Sequence, residues 1–348
     1  MDGFPLFLTG MQRSGTTLLE RLLGQHPGAA ILSQPFPLLF VEAKRDFLRG
    51  LGRSDIRYPL GHLFLEDGYR PEDFYRHLEE LRFDGARLQR IFEEMQGFSG
   101  QYTRVDPSAI PRLPPRGFAE LLTSLYRALS VAGSKETICE EFLPYFLDHG
   151  WRCALILRDP RDVVASLNHG RGPEYGGRLK PTLFNVRSWR KSVAHALHLE
   201  GTPGFLWLRY EELVTDPAAA LQAFGLSGFE IRGWTGNSSH GERIGVSAAS
   251  VGAYRKVLDS GVARFIEAAC LPEMRLLGYP VSLEADEAPS VLRDFVEPYE
   301  ITREGMESDI ASDANEVRRL ELLSEETDAA VRPWFLFERA HARLKESW

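Results

Sequence analysis

Cysteine is scarce: Cys139, Cys153 and Cys270 are the only three in 348 residues. Their spacing matches no metal-ligand pattern, and an odd, sparse count suits a reducing compartment rather than a disulfide framework. Positive charge is not in excess either. With 41 Lys and Arg against 49 Asp and Glu, the formal net charge is −8, so a broad nucleic-acid footprint is not expected and any anion must be held by local basic clusters. No apolar run approaches the roughly 20 residues of a membrane span. The apolar start, Met1 to Thr9, lacks a basic n-region and runs straight into a glycine, so it reads as a strand and not as a signal peptide. Together these absences make the cytoplasm the expected location. Internal repeats and low-complexity tracts are also lacking.

What is present fits an α/β chain long enough to bury a large core. Phe4–Thr9 (FPLFLT) is a short apolar run that stops at Gly10, and Gly15–Gln25 carries leucines at helical spacing, which predicts strand, loop and helix in that order. Gly28–Ser33 is a candidate second strand. Helices are expected over Phe36–Leu48, Glu72–Met95 and Gly117–Leu129, split by a proline-rich break at 107–115. Ser134–Cys139 and Arg152–Leu157 (RCALIL) read as core strands, and Asp159–Leu167 as a helix with Pro160 in its first turn. Asn168–Thr182, rich in Gly and Pro, reads as a mobile loop, Leu183–Glu200 as a helix and Phe205–Leu208 as a strand. Strands alternating with helices imply a central parallel sheet covered on both faces. The expected organisation is one α/β domain over 1–280 with a large helical insertion at about 36–132. A helical extension over 281–348 is expected to pack on it as an appendage.

The strongest local signal is Gly10-Met11-Gln12-Arg13-Ser14-Gly15-Thr16-Thr17. Its glycines have the G-x-x-x-x-G spacing of a phosphate loop, set between a strand and a helix. Such a turn points backbone N–H groups inward and adds the partial positive charge of a helix N-terminus, so it holds an anion. Thr16 and Thr17 add hydroxyl donors. The lysine that follows the second glycine in an ATP or GTP site is here Thr16, which argues against a nucleoside triphosphate; Arg13 supplies the cation instead. A second signal is Arg158-Asp-Pro-Arg-Asp-Val-Val-Ala-Ser166 after the RCALIL strand, because ligands of open α/β sheets bind at the carboxyl ends of strands. Helical geometry puts Asp162 and Ser166 one turn apart on one face, and an Arg at the strand end with a Ser on the helix can grip one phosphate.

These two elements resemble the sulfotransferases that use 3′-phosphoadenosine 5′-phosphosulfate (PAPS), with a 5′-phosphosulfate loop of the bacterial or tyrosylprotein type. In that family a basic residue precedes Ser-Gly-Thr-Thr, and Arg and Ser of the 3′-phosphate motif stand eight positions apart, as Arg158 and Ser166 do. The resemblance implies a P-loop-containing nucleotide-binding fold. Leu208-Arg-Tyr210-Glu-Glu-Leu213 is similar to the family's Tyr-Glu-Asp-Leu segment, whose tyrosine packs near the adenine; a core tyrosine is the other reading. Val251-Gly252-Ala253-Tyr254-Arg255 resembles Gly-x-Trp-Lys, with Arg255 able to hold phosphate bidentately. The Arg-Lys-Gly of many members is here Ser247-Ala248-Ala249. Lys135, in Gly133-Ser-Lys-Glu-Thr137, matches a strand that brings lysine to the sulfuryl group, and alternation puts Lys135 and Thr137 on one face and Glu136 on the other. The matches cover 4–34, 133–167, 204–226 and 244–278.

The resemblance implies the following roles. Arg13 and Lys135 meet charge on the sulfuryl and bridging oxygens, Gln12 lies in the nucleotide loop, and the Ser14, Gly15, Thr16 and Thr17 amides and hydroxyls take the 5′-phosphate. Arg158, Ser166 and Arg255 take the 3′-phosphate, and Tyr210 lies near the base. No metal is implied. The partner is a small-molecule acceptor bound against the helical insertion, and 3′-phosphoadenosine 5′-phosphate (PAP) is the product. Where relatives place a general base, this chain has Gln34 and Thr137, neither a base at neutral pH. Gln34 is therefore expected to orient the acceptor, and Glu42, Glu141 and His169 are candidate bases. A PAP-binding protein without turnover and a P-loop kinase remain as alternatives.

Overall fold

The computed structural model describes residues 5–25, 30–53, 63–65, 68–96, 116–170, 179–222, 235–237, 243–299, 313–325 and 334–348. The proline-rich break at 107–115 and most of the Gly- and Pro-rich loop (171–178) lie outside the described residues. The chain divides into two compact units, one formed by Met1–Ile156 with Leu199–Ser247 and the other by Leu157–His198 with Ala248–Trp348.

The first unit is built on β1 (Leu6–Thr9), which is buried at every position. It leads through the glycine loop into α1 (Thr16–Leu23), then β2 (Ile31–Ser33) and α2 (Pro37–Gly50). Three more helices follow, α3 (Pro71–Glu80), α4 (Gly85–Gln96) and α5 (Phe118–Ala128). The single helix expected over Glu72–Met95 is thus two. Leu81 is extended, and the Asp84 carboxylate accepts the Arg87 amide at 2.7 Å, capping the start of α4. Next come β3 (Gly133–Lys135), a 3-10 turn at Glu140–Phe142, α6 (Leu143–Asp148) and β4 (Arg152–Leu157). From β4 the chain enters the second unit, with α7 (Pro160–His169) and α8 (Thr182–Leu199). It returns for β5 (Phe205–Arg209), α9 (Tyr210–Thr215), α10 (Pro217–Gln222) and a small antiparallel pair, β6 (Thr235–Asn237) with β7 (Arg243–Gly245).

The five strands β1 to β5 form one sheet in the order β2-β3-β1-β4-β5, with β1 parallel to both β3 and β4. This is the central parallel sheet flanked by helices that the alternation predicted, and the P-loop-type α/β fold. Its two faces have different chemistry. Leu6, Leu8, Ile31, Ala154 and Ile156 pack with Leu18, Leu19, Leu22 and Leu23 of α1. On the opposite face Phe7 meets Phe40 and Phe146, and Phe40 meets Phe118 and Phe142. Each such buried Leu or Phe contributes about 1.5–3 kcal/mol.

β3 is shorter than Ser134–Cys139. Past Lys135 the chain keeps bonding at alternate residues, Glu136 N–H to Leu8 O (2.9 Å) and Ile138 N–H to Gly10 O (3.0 Å). It then turns away at Ile138, whose φ is 58°.

The second unit continues from β7 with 3-10 turns at Ala248–Ser250 and Ala253–Lys256. Then follow α11 (Ser260–Ala269), α12 (Leu271–Leu276), α13 (Ala288–Asp294), α14 (Asp313–Ser324) and α15 (Glu338–Ser347). Of these, α14 is tied into the unit by buried charge. Glu316 of α14 bonds both Arg190 and Arg187 of α8, and Arg319 pairs with Glu273 of α12. Among the described residues no helix is long and apolar enough to cross a membrane.

Candidate functional site

The glycine loop leaves the carboxyl end of β1 and is held from several sides. Gly10 has φ 154°, and a Cβ there would stand 2.6 Å from the Ile156 carbonyl oxygen. Gly15 has φ 104° and caps α1; a Cβ there would stand 2.4 Å from the Tyr210 ring. Both glycines of the motif are therefore required by close approach as well as by conformation. Tyr210 is buried in the α1-side core, so its ring forms the wall behind Gly15. Between the glycines, Ser14 turns inward: its amide and its hydroxyl both donate to the Met11 carbonyl, at 3.2 and 2.6 Å. Arg13 sits in the left-handed region at φ 65°, which is uncommon for a side-chain-bearing residue. Gln12 and Arg13 are half-buried. Leu19 N–H is bonded to Gly15 O, and the amides of Thr16, Thr17 and Leu18 before it have no carbonyl to meet within the helix.

The adjacent strand ends bring two more expected residues together. Lys135 is in register with Leu8 of β1 and Ser33 of β2. Its Nζ donates to Gln34 Oε1 at 3.2 Å, and the Gln34 amide donates to Lys135 O at 2.8 Å. Gln34, like Arg13, is left-handed, at φ 46°. Burial lowers the Lys135 ammonium pKa, with Glu20 and Glu136 pulling the other way. Glu136 points to the aromatic face, where Oε1 accepts the Phe36 amide at 3.2 Å. Burial pushes its carboxyl upward.

The three candidate bases are each engaged. Glu42 accepts from Arg87 at 3.0 Å and from Arg49 at 3.1 Å. Glu141 lies 3.2 Å from the fully buried Lys44, whose ammonium also donates to Ile138 O at 2.6 Å. Burial alone would lower the Lys44 pKa; Glu141, Cys139 and Glu140 outweigh it and raise it. His169 stands in the last turn of α7 and not in the loop that follows, with Nε2 2.9 Å from the Tyr299 hydroxyl.

In the second unit the Arg158–Ser166 element is organised by a residue whose part the spacing did not announce. Asp162 is buried and accepts the Gly252 amide at 2.7 Å and the Tyr254 amide at 2.9 Å. Burial raises its carboxyl pKa, against those two amides and Arg158. Arg158, also buried, donates to Ser250 O at 2.8 Å, and its own carbonyl accepts the Trp189 indole N–H at 2.7 Å. The 248–256 segment is thereby tied to α7. Arg255 is exposed and lies over the Tyr254 ring, 4.8 Å from its centroid, with its guanidinium curled above Gly252. Ser166, half-buried, is one turn beyond Asp162. Arg161, the other arginine of the motif, is structural: it bonds Asp159, Glu267 and Pro280 O and is buried.

The first unit offers a tight anion loop beside a lysine–glutamine pair, and the second offers a clamped Arg/Ser/Arg element. Residues 5–113 match the model described as "Sulfotransferase family". The chain is 27% identical over 236 residues to nodulation protein NoeE of Sinorhizobium fredii (strain NBRC 101917 / NGR234), a match over 62% of this chain and 48% of that protein. The chain therefore spans about half the length of the curated relative it matches. Solved structures with similarity include the sulfotransferase domain of the Synechococcus PCC 7002 olefin synthase, at 20% identity and TM-score 0.44, over 80% of this chain and 95% of that one. The sulfotransferase domain from the curacin biosynthetic pathway has 17% identity and TM-score 0.42, over 81% and 99%. The family-model match covers the glycine loop with its flanking strand and helix and under a third of the chain.

Proposed function

We propose that this sulfotransferase-family chain transfers a sulfuryl group from PAPS to a hydroxyl or amine of a small acceptor and releases PAP. The observation that carries the reading is the loop. Gly10 and Gly15 have no room for a Cβ, Thr16 replaces the triphosphate-site lysine, and the loop's own cation, Arg13, is held left-handed between them. Such a cradle fits a compact tetrahedral anion approached by backbone donors. PAPS, when bound, supplies an activated sulfuryl group on a phosphate leaving group.

The rest is the work of this chain's residues. The amides and hydroxyls of Thr16 and Thr17, with the loop backbone at Gln12 and Gly15, hold the 5′-phosphate; Ser14, whose donors serve Met11, keeps the loop's shape. Arg13 and Lys135 place positive charge where the transferring group gains negative charge, and Gln34 orients the acceptor beside Lys135. Arg158, Ser166 and Arg255 hold the 3′-phosphate, which a simple 5′-nucleotide lacks. Tyr210 fixes the loop from behind.

Thermal unfolding with PAP, ADP and ATP tests the assignment. PAP should raise Tm well beyond ATP at equal concentration, by the RT ln(1 + [L]/Kd) of native-state binding, and EDTA should leave that shift intact. Equal shifts for PAP and ATP, or a shift that needs Mg²⁺, would turn the reading toward a kinase. Tight PAP binding without any release of PAP from PAPS would turn it toward a binding protein.

Asp162 supplies a second check. Asp162→Ala frees the Gly252 and Tyr254 amides, so the 3′-phosphate contacts lose their mounting. PAP affinity should fall about tenfold or more, since hydrogen bonds to a charged group are worth roughly 1.5–3 kcal/mol. AMP, without the 3′-phosphate, should be nearly unaffected in isothermal titration. A parallel loss for both nucleotides would remove the 3′-phosphate from this element.

A further inference from the structure

Under the reacting end of the sheet lies a buried carboxylate that the assigned roles leave unused. Glu20 is on α1, one helical turn after Thr16, and only 3% exposed, while its neighbour Arg21 is exposed. Parallel strands in register show the same face at paired positions. Leu8, Lys135 and Ser33 are so paired, and Leu8 packs in the core that α1 covers. The Lys135 side chain therefore lies on the α1 side of the sheet, the side that carries Glu20. The Ser33 hydroxyl bonds the Glu20 carboxylate, and Arg21 Nε stands 3.6 Å from its Oε1; Oε2 is buried without a hydrogen-bond partner.

An ammonium has three donors. Among the described residues the one side-chain hydrogen bond of Lys135 goes to the neutral Gln34. A buried lysine with only a neutral partner tends to lose its proton. The charged groups around it are Glu20 and Arg21 on α1 and Glu136 next in the chain; β1 carries no ionisable group, and α5 brings the Tyr126 hydroxyl, bonded to Ser134. Burial pushes both the Glu20 and the Glu136 carboxyls upward, but Glu136 is on the opposite face, bonded to the Phe36 amide, while Glu20 is on the face of Lys135. Arg21 repels. Glu20 is the group left to balance Lys135.

We propose that Glu20 is a positioning residue for Lys135, keeping its ammonium charged from beneath the sheet's carboxyl edge. The inference rests on the reading that Lys135 faces the transferring sulfuryl group. Glu20 itself touches no substrate. Losing Glu20 leaves the loop and its anion contacts in place and makes Lys135 deprotonate at lower pH.

The test is Glu20→Gln in the full chain, which keeps the size and the Ser33 hydrogen bond. Lys135 is titrated by NMR of ε-¹³C-lysine, assigned with Lys135→Arg. PAP release from PAPS, with water as acceptor, is followed against pH. The Lys135 titration is expected to fall by a pH unit or more, the alkaline limb of turnover to fall with it, and PAP affinity to stay within about twofold. Glu20→Asp keeps the charge one methylene further off and should show the same shift in smaller measure; it serves alone if Glu20→Gln does not fold. An unmoved Lys135 titration overturns the proposal. A lowered titration with an unchanged pH–rate profile upholds the pairing and overturns instead the placement of Lys135 at the sulfuryl group.

Discussion

Arg13→Ala should lower turnover of PAPS by about 10²–10³-fold, the usual cost of removing one preorganised donor to developing charge, and change the Kd for PAP less than threefold. PAP has no sulfuryl group, so a residue that acts on that group is invisible to PAP binding. The backbone argument agrees. Arg13 is held at φ 65°, a conformation that costs a side-chain-bearing residue about 1–2 kcal/mol. A glycine would relieve that cost, so Arg13→Gly should be at least as stable as the parent and as slow as Arg13→Ala. Arg158→Ala should show the opposite kinetics, with PAP affinity lost and turnover at saturation largely kept, because its partner is present in both ground and transition states. Single-turnover PAP release and calorimetric PAP titration separate the two. The same pattern in both variants would undo the division of labour.

The second large effect is on stability. Glu316→Gln should destabilise the second unit by about 3–5 kcal/mol, because it removes the buried carboxylate that the largely buried Arg190 and Arg187 guanidiniums share. Replacing Glu316 and Arg190 together with apolar residues should cost much less. Burial alone would raise the Glu316 carboxyl; Arg190, Arg187 and Arg319 overturn it and hold it at about 2. The sign follows from that depression. The stabilisation is complete above the unfolded carboxyl's ordinary value and is lost as pH falls from about 4.5 toward 2, a total of about 3 kcal/mol. Thermal unfolding across that window should show a steep acid limb in the parent and a flatter one in Glu316→Gln. Equal slopes would mean that the pair contributes nothing to acid stability.

The legible parts of this chain were those whose physics is local. RCALIL became β4 over the expected residues, the run after Asp159 became α7 with its cap, and the loop's glycines proved to lie where no Cβ fits. Where the reading missed, tertiary structure decided. Asp84-Gly85 split a helix that apolar periodicity had joined, although an Asp-Gly pair is a break signal. Glu20 and Arg21 lie equally far from the centre of the leucine arc at about 100° per residue, so the spacing cannot say which is buried; β2 and β3 cover Glu20. Asp162 was placed beside Ser166, but its grip on Gly252 and Tyr254 joins segments 90 residues apart. Lys44 and Glu141 pair across a similar gap.

The strand order bears on how the protein is made. β1 is made before every other strand of its sheet, and both of its neighbours, β3 and β4, come roughly 120 residues or more later. At ordinary translation rates the nascent strand and the leucine face of α1 wait on the order of ten seconds for a partner. Loop closure of that length is slow compared with local helix formation. Until then an apolar segment and its open backbone edges face solvent and whatever holdase binds there. Yield on expression should therefore depend on chaperone supply more than the finished molecule's stability implies. The cost comes from placing the nucleotide loop's strand at the middle of the sheet.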